Sequence, residues 1–388
     1  MLKICASALM LALLSPSAAI AAPVSSAATL PGIWEGRVGS LPVRACFVRR
    51  DSGIFGAYFY LSRLRLIALN AEEGASNVFY EGGGDGAGAP RWRIDRADSS
   101  RLTGRWTSGS NTLAVQLRLV GAGEAEAGAC AAPAFHQPRL AGLRTLDRRA
   151  SSDGVAYTHL ALDTRGRFEI SVETFALDGD SEAVRRLNAT LGEELAGNPP
   201  RWFECITGSL EYSPHEGSLN ESFEPALVSR RWLSAIDQDE SYCGGAHPNA
   251  SSTYRTFDRA SGREIDLYDW LNAAAVHRQR FEGSDEETKT LQPAFRQVIL
   301  SGWHAEDAEC DETIRNQEYW NIGLTRDALI FWPQLPHVVQ ACEEGFTMAF
   351  DRLRPYLTPE AAEYLRALQA EGPAPAAQPA QPSPGRPS

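Results

Sequence analysis

Between about Thr29 and Pro133, apolar residues recur in short runs separated by Gly- and Ser-rich clusters. Val43, Ala45 and Phe47 sit at every second position, as do Tyr58 and Tyr60, which is the period of a strand with one buried face. Antiparallel strands are predicted over residues 32–38, 41–49, 54–60, 78–81, 91–95, 101–107 and 112–119, with turns at the Gly and Ser clusters. Residues 29–135 are therefore expected to form a small all-β domain, a barrel or a sandwich. Trp34, Trp92 and Trp106 are expected to pack along one face of it.

Residues 136–153, Arg-rich and interrupted by proline, read as a linker. Beyond them the periodicity becomes mixed. Residues 157–162 and 167–175 read as strands. Residues 181–195 read as a helix, with Ser181 at its N-cap and Ala183, Val184, Leu187, Leu191 and Leu195 on one face. Strands are expected at 203–212, 227–237, 252–258, 263–267, 319–324, 328–331 and 345–349. Helices are expected at 267–272, 288–300 and 359–368. The fold class is thus α+β: a small antiparallel β domain, then an α+β domain over 154–368 with an antiparallel sheet and a few helices. The Ala/Pro/Gln tail, 369–388, cannot bury a core.

Composition adds a compartment. Lys3, the apolar run 9–14 and the small residues Ala19 and Ala21 make residues 1–22 a signal peptide, with cleavage expected near Ala21 or Ala22. No later stretch approaches the roughly 20 apolar residues of a membrane span, so a soluble periplasmic or secreted protein is expected. Cys5 leaves with the signal. Cys46, Cys130, Cys205, Cys243, Cys310 and Cys342 remain, an even number in an exported chain. Six cysteines allow fifteen pairings. The simplest is sequential, which keeps each bridge within one segment. The net charge of −12 disfavours nucleic acid and anionic lipid and favours a basic partner.

The densest chemistry lies in Tyr242-Cys243-Gly244-Gly245-Ala246-His247-Pro248-Asn249. The glycines permit positive φ and close backbone approach. His247 either faces a ligand or is buried against the backbone beside Cys243. No HExxH, nucleophile elbow or phosphate-binding glycine loop occurs, so neither a metal nor a cofactor is expected. Acidic clusters at Asp237, Asp239 and Glu240, and at Glu306, Asp307, Glu309, Asp311 and Glu312, read as solvated loops. Together with Trp303, His304 and Trp320 they would also suit a surface for sugar or a basic protein.

Four stretches, 242–249, 257–271, 321–331 and 346–357, resemble the C-terminal extracellular domain of the RsiV-like, lysozyme-sensing anti-sigma factors, a DUF3298-type domain. Residues 168–195, with Leu187-Asn188, resemble its DUF4163-like companion. The likeness covers about residues 155–360. It lacks the sigma-binding segment and membrane helix of those factors, and the N-terminal β domain has no counterpart. The resemblance implies an envelope-binding protein whose partner is lysozyme or a peptidoglycan fragment, with Tyr242, Gly244, Gly245, His247 and Asn249 as ligand-binding candidates. The alternatives are a cell-wall hydrolase using His247 with Asp239 or Glu240, and a structural or assembly module.

Overall fold

The computed structural model describes residues 29–371 apart from 52, 85–87, 123–127, 153, 197–198, 281–286 and 306; of residues 194–200 it describes no side chains. The expected signal peptide and most of the expected tail lie outside the described residues. Among the described residues, no helix is long and apolar enough to cross a membrane.

Eight strands form the first unit: β1 (Gly32–Val38), β2 (Leu41–Arg50), β3 (Gly53–Tyr60), β4 (Ile67–Glu72), β5 (Ala75–Glu81), β6 (Arg91–Ala97), β7 (Arg101–Ser108) and β8 (Asn111–Gly121). Each pairs antiparallel with the next, and β1 also pairs with β8, so the sheet closes into a barrel. Trp34, Phe47, Tyr58, Phe79 and Trp92 fill the interior, with Trp106 half-buried against them. The tryptophans thus share one face, as the alternation requires. One stretch of outer wall is apolar as well. Ile33, Val48, Phe55, Ala57 and Phe59 face outwards and are covered by Phe135 and Leu210. This is why β3 is buried at six consecutive positions instead of alternating.

The 136–153 segment is no linker. It holds most of α1 (Pro133–Leu140) and all of β9 (Arg144–Ser152). After β9 come β10 (Val155–Asp163), β11 (Ile170–Leu177), α2 (Glu182–Ala196), α3 (Pro199–Gly208), β12 (Ser218–Val228), β13 (Trp232–Tyr242), β14 (Asn249–Asp258) and β15 (Arg263–Ile265). The strands make one seven-stranded sheet in the order β15-β14-β13-β12-β11-β10-β9, antiparallel except between β11 and β12. The parallel step needs a crossover, and α2 and α3 supply it. Leu187 and Leu191 of α2 pack on Phe175 and Phe223, as their spacing predicts. Ser181 caps the helix by accepting from the Val184 N–H at 3.2 Å.

Two expectations fail here. Residues 203–212 form the end of α3 and a 3-10 turn, because Trp202, Phe203 and Ile206 bury one helical face. Residues 227–237 are split between β12 and β13 by a turn at Ser229, whose hydroxyl accepts from the Trp232 N–H.

The chain ends in a second cluster. β16 (Val276–Arg280) and β17 (Glu287–Leu291) form a ribbon, followed by α4 (Pro293–Ile299) and α5 (Ala308–Asn316). The helix expected over 288–300 is therefore half strand, and begins only at Pro293, which is favourable at a helix start. β18 (Trp320–Leu324), β19 (Ala328–Pro333) and β20 (Phe346–Ala349) form a three-stranded sheet, and α6 (Phe350–Leu353) and α7 (Pro359–Ala370) close the core. Disulfides join Cys46 to Cys130, Cys205 to Cys243 and Cys310 to Cys342, the sequential pairing.

A buried polar bolt joins barrel and sheet. Arg139 of α1 is fully buried. It donates to Leu64 O at 3.1 Å on the barrel side and to both Glu216 oxygens at 2.9 and 2.8 Å on the sheet side. Its Nη1 lies 3.1 Å from His136 Nδ1. A guanidinium can only donate, so Nδ1 accepts and the imidazole proton sits on Nε2, which donates to Cys130 O at 2.8 Å.

Candidate functional site

The 242–249 loop joins β13 to β14 at the far end of their hairpin. Gly244 and Gly245 take φ of +99° and +100°, in the left-handed region. A Cβ on Gly244 would also lie 3.0 Å from Ser209 Cα. Cys243 ties the loop to α3 through Cys205, and its carbonyl lies 3.0 Å from where a Cβ on Gly208 would stand. The Tyr242 hydroxyl closes the loop by donating to Gly245 O at 3.2 Å. The loop is therefore held at its base by a covalent bond and by backbone contacts that only glycine allows.

His247 and Asn249 lie on the exposed side of this loop. The buried alternative for His247 does not hold: it is exposed and makes no hydrogen bond or ion pair among the described residues. Nor does it meet the carboxylates proposed for it. Asp239 is bound to Arg201, which also holds Glu221, its cross-strand neighbour. Glu221 is buried, and accepts from Trp202 Nε1 at 3.3 Å. These acids and Arg201 form an ion-pair network on the α3 side of the sheet.

α3 carries the loop to the rim of a cleft. Gly208, against which the loop packs, also lines a cavity of about 400 Å³ between barrel and sheet. Val48, Arg50 and Phe55 form its barrel wall, and Glu204, Thr207 and Glu211 the opposite one. A second cleft of about 370 Å³ lies between β14–β15 and β18, lined by Tyr254, Glu264, Asp266, Tyr268, Trp320 and Asn321. Burial pushes the Tyr268 hydroxyl well above the ordinary tyrosine range, and it donates to Trp320 O at 2.7 Å.

The second acidic cluster is not a loop. Asp307 caps α5 by accepting from the Glu309 N–H at 2.7 Å, and Asp311 pairs with Arg315 one turn on. Acids in a first helical turn complement the helix dipole. Glu306 lies outside the described residues. Trp320 is buried, and the half-buried Trp303 packs edge-to-face with Phe346. Among the described residues, no group of three or more His, Cys, Asp or Glu is placed to hold a metal ion.

Sequence reasoning missed the part played by side-chain amides. Asn321 accepts from the Tyr254 N–H and donates to Tyr254 O at 3.0 Å. Gln340 accepts from the Ala250 N–H at 3.2 Å, and Gln334 donates to Ser252 O at 3.4 Å. Residues 250, 252 and 254 present their backbone groups on the same side of β14, so three amides replace the strand that β15 is too short to supply. Asn188 does the same for Leu177, at 2.8 and 2.9 Å.

No protein family matches the sequence, and no curated protein is significantly similar to it. Among solved structures, a DUF3298 family protein from Pseudomonas aeruginosa PAO1 is similar over 56% of this chain and 96% of its own, at 14% identity and a TM-score of 0.33. A member of the same family from Bacteroides fragilis NCTC 9343 is similar over 59% of this chain and 98% of its own, at 12% identity and a TM-score of 0.37. Likenesses this distant carry no argument about function, and the site is read from its own geometry.

Proposed function

We propose that this chain is an exported binding protein of the bacterial cell envelope, and that the 242–249 loop and the acidic unit behind it engage a basic protein of the lysozyme type. The observation that carries the reading is an exposed histidine on a loop pinned by a disulfide and two left-handed glycines. A loop held rigid before binding loses little entropy on binding. Charge supports the class of partner. Residues 154–371 contain thirty-seven acids and nineteen basic residues, so they attract a cationic surface.

The test is titration of the mature protein with hen-type lysozyme, and separately with soluble peptidoglycan fragments, at low and physiological salt. Binding to lysozyme that weakens as salt rises is expected. His247→Ala should leave the melting temperature unchanged while weakening binding about tenfold, the loss of roughly one interfacial contact. No binding to lysozyme at high micromolar concentration would sink the proposal.

A further inference from the structure

The barrel carries the opposite charge to the rest of the chain. Residues 29–121 hold twelve arginines and eight acids in a protein of net charge −12. The arginines concentrate on the stretch of barrel wall that nothing covers. Arg37 on β1, Arg91 and Arg93 on β6, Arg101 and Arg105 on β7 and Arg118 on β8 all point outwards and are exposed.

Their register is unfavourable for the fold. Arg93 stands directly opposite Arg105, and Arg101 directly opposite Arg118. Like charges directly opposite destabilise a strand pair. In each pair one member is held by an acid, Arg105 by Asp95 at 3.2 Å and Arg118 by Glu35 at 3.0 Å. The other member, Arg93 or Arg101, has no side-chain partner among the described residues. The two pairs are four residues apart along β7, roughly 14 Å at the rise of an antiparallel strand. Beside one of them runs a groove of about 500 Å³, bordered by Arg37, Arg101 and Arg118 and by Glu35, whose carboxylate is taken up by Arg44 and Arg118, and offering Thr103 and Gln116 as polar contacts.

We propose that this wall binds an anionic polysaccharide through its carboxylate or sulfate groups. Two unsatisfied guanidiniums at a fixed separation suit a polymer with repeating anions, because each guanidinium can grip a carboxylate or sulfate by two parallel hydrogen bonds. Thr103 and Gln116 suit the hydroxyls between them. None of the outward residues of β1 and β6–β8 is aromatic, so the wall lacks the stacking platform that single-stranded nucleic acid uses. Among these outward residues the one exposed large apolar side chain is Val120, and a single valine is too little to enter a lipid surface. The site is separate from the 242–249 loop and stands whether or not that loop binds lysozyme.

The test uses the full chain and immobilised heparin, which is sulfated, and polygalacturonate, which carries carboxylates alone. Despite the net negative charge, the protein should be retained on at least one of them at about 50 mM salt and released as salt rises. Arg93→Gln/Arg101→Gln should bind about tenfold more weakly with a shallower salt dependence, and should melt at the same or a higher temperature because repulsion is relieved. Passage of the unaltered protein through both matrices would overturn the proposal, as would unchanged retention of the double variant. A lowered melting temperature would overturn it too, by making the arginines structural. So would tighter binding, lost in the double variant, to poly(dT) or to phosphatidylglycerol vesicles.

Discussion

The barrel and the seven-stranded sheet face the same physical demand and meet it differently. A strand edge exposes unpaired N–H and C=O groups. The barrel removes its edges by pairing β1 with β8. Its inward-facing carboxylate is also served from nearby: Glu81 Oε1 accepts from Tyr58 at 2.6 Å, Trp92 at 3.0 Å and Trp106 at 2.7 Å, all within 25 positions of it. Burial first, and then Glu81, push the Tyr58 hydroxyl far above the ordinary tyrosine range, so it stays a donor. The sheet leaves β14 open and covers it with amides from Asn321, Gln334 and Gln340, 67 to 90 positions away. The barrel meets its edges and its buried carboxylate with its own strands, whereas the open edge of the sheet depends on residues from the cluster that follows it. The bolt between them, Arg139 with Glu216, is remote as well, 77 positions apart.

The largest effect is expected where the two units meet. Arg139→Met leaves Glu216 buried without a cation, and should cost about 3–5 kcal/mol. Because Arg139 also bonds Leu64 O, the variant should unfold in two steps, the barrel tryptophans reporting one and far-ultraviolet circular dichroism the other. A single transition with a loss below about 1 kcal/mol would mean that the bolt does not couple the units.

Within the barrel, Glu81→Ala strands three donors and should cost about 2–3 kcal/mol. If the barrel is self-sufficient, hydrogen-exchange protection of β12–β14 should not change. Its loss there would erase the contrast between the units.

Asn321→Ala reverses the test. It exposes both polar groups of Tyr254 and should cost about 1–2 kcal/mol, seen as faster amide exchange at Tyr254 with β1–β8 unaffected. The freed edge should also promote association, measurable by light scattering.

The smallest effect is in the pH response of the bolt. Burial, and next Arg139, hold the His136 pKa well below its ordinary 6.5, so the folded state keeps it neutral. Below about pH 6.5 the unfolded chain takes up a proton that the folded chain refuses. This contribution to stability is therefore complete above about pH 6.5 and is lost as pH falls from there towards the folded value, by at most about 1.4 kcal/mol per pH unit. Glu216 acts in the opposite sense nearer its ordinary 4.5, because burial raises its pKa against the pull of Arg139. Denaturant titrations at pH 7 and 5.5 should show the loss in the unaltered protein and a smaller loss in His136→Asn. Equal losses in the two proteins would remove His136 from the account.

This division of labour explains what could be read in advance. Alternation at Val43, Ala45 and Phe47, the helical stripe of Leu187 and Leu191 and the Ser181 cap are local, and each follows from the period of its own element. The sequential disulfides were legible for the same reason, since each closes within one segment. Helix α3 was not legible as a helix. Trp202, Phe203 and Ile206 suit a strand until a sheet is there to receive one helical face. At the candidate site, the glycine loop and its left-handed backbone were legible in Gly244-Gly245, but the exposure of His247 was not, since burial depends on what else packs nearby.

Periodicity and turn chemistry thus set a β unit followed by an α+β unit, because those signals act over a few residues. Closure of the barrel, the docking of α1 between the units, the capping of β14 by Asn321 and the outward alignment of Arg93 with Arg105 and Arg101 with Arg118 depended on the assembled fold. Each requires groups from separate elements to arrive at one place, and the energy that holds them there does not exist until the elements have packed.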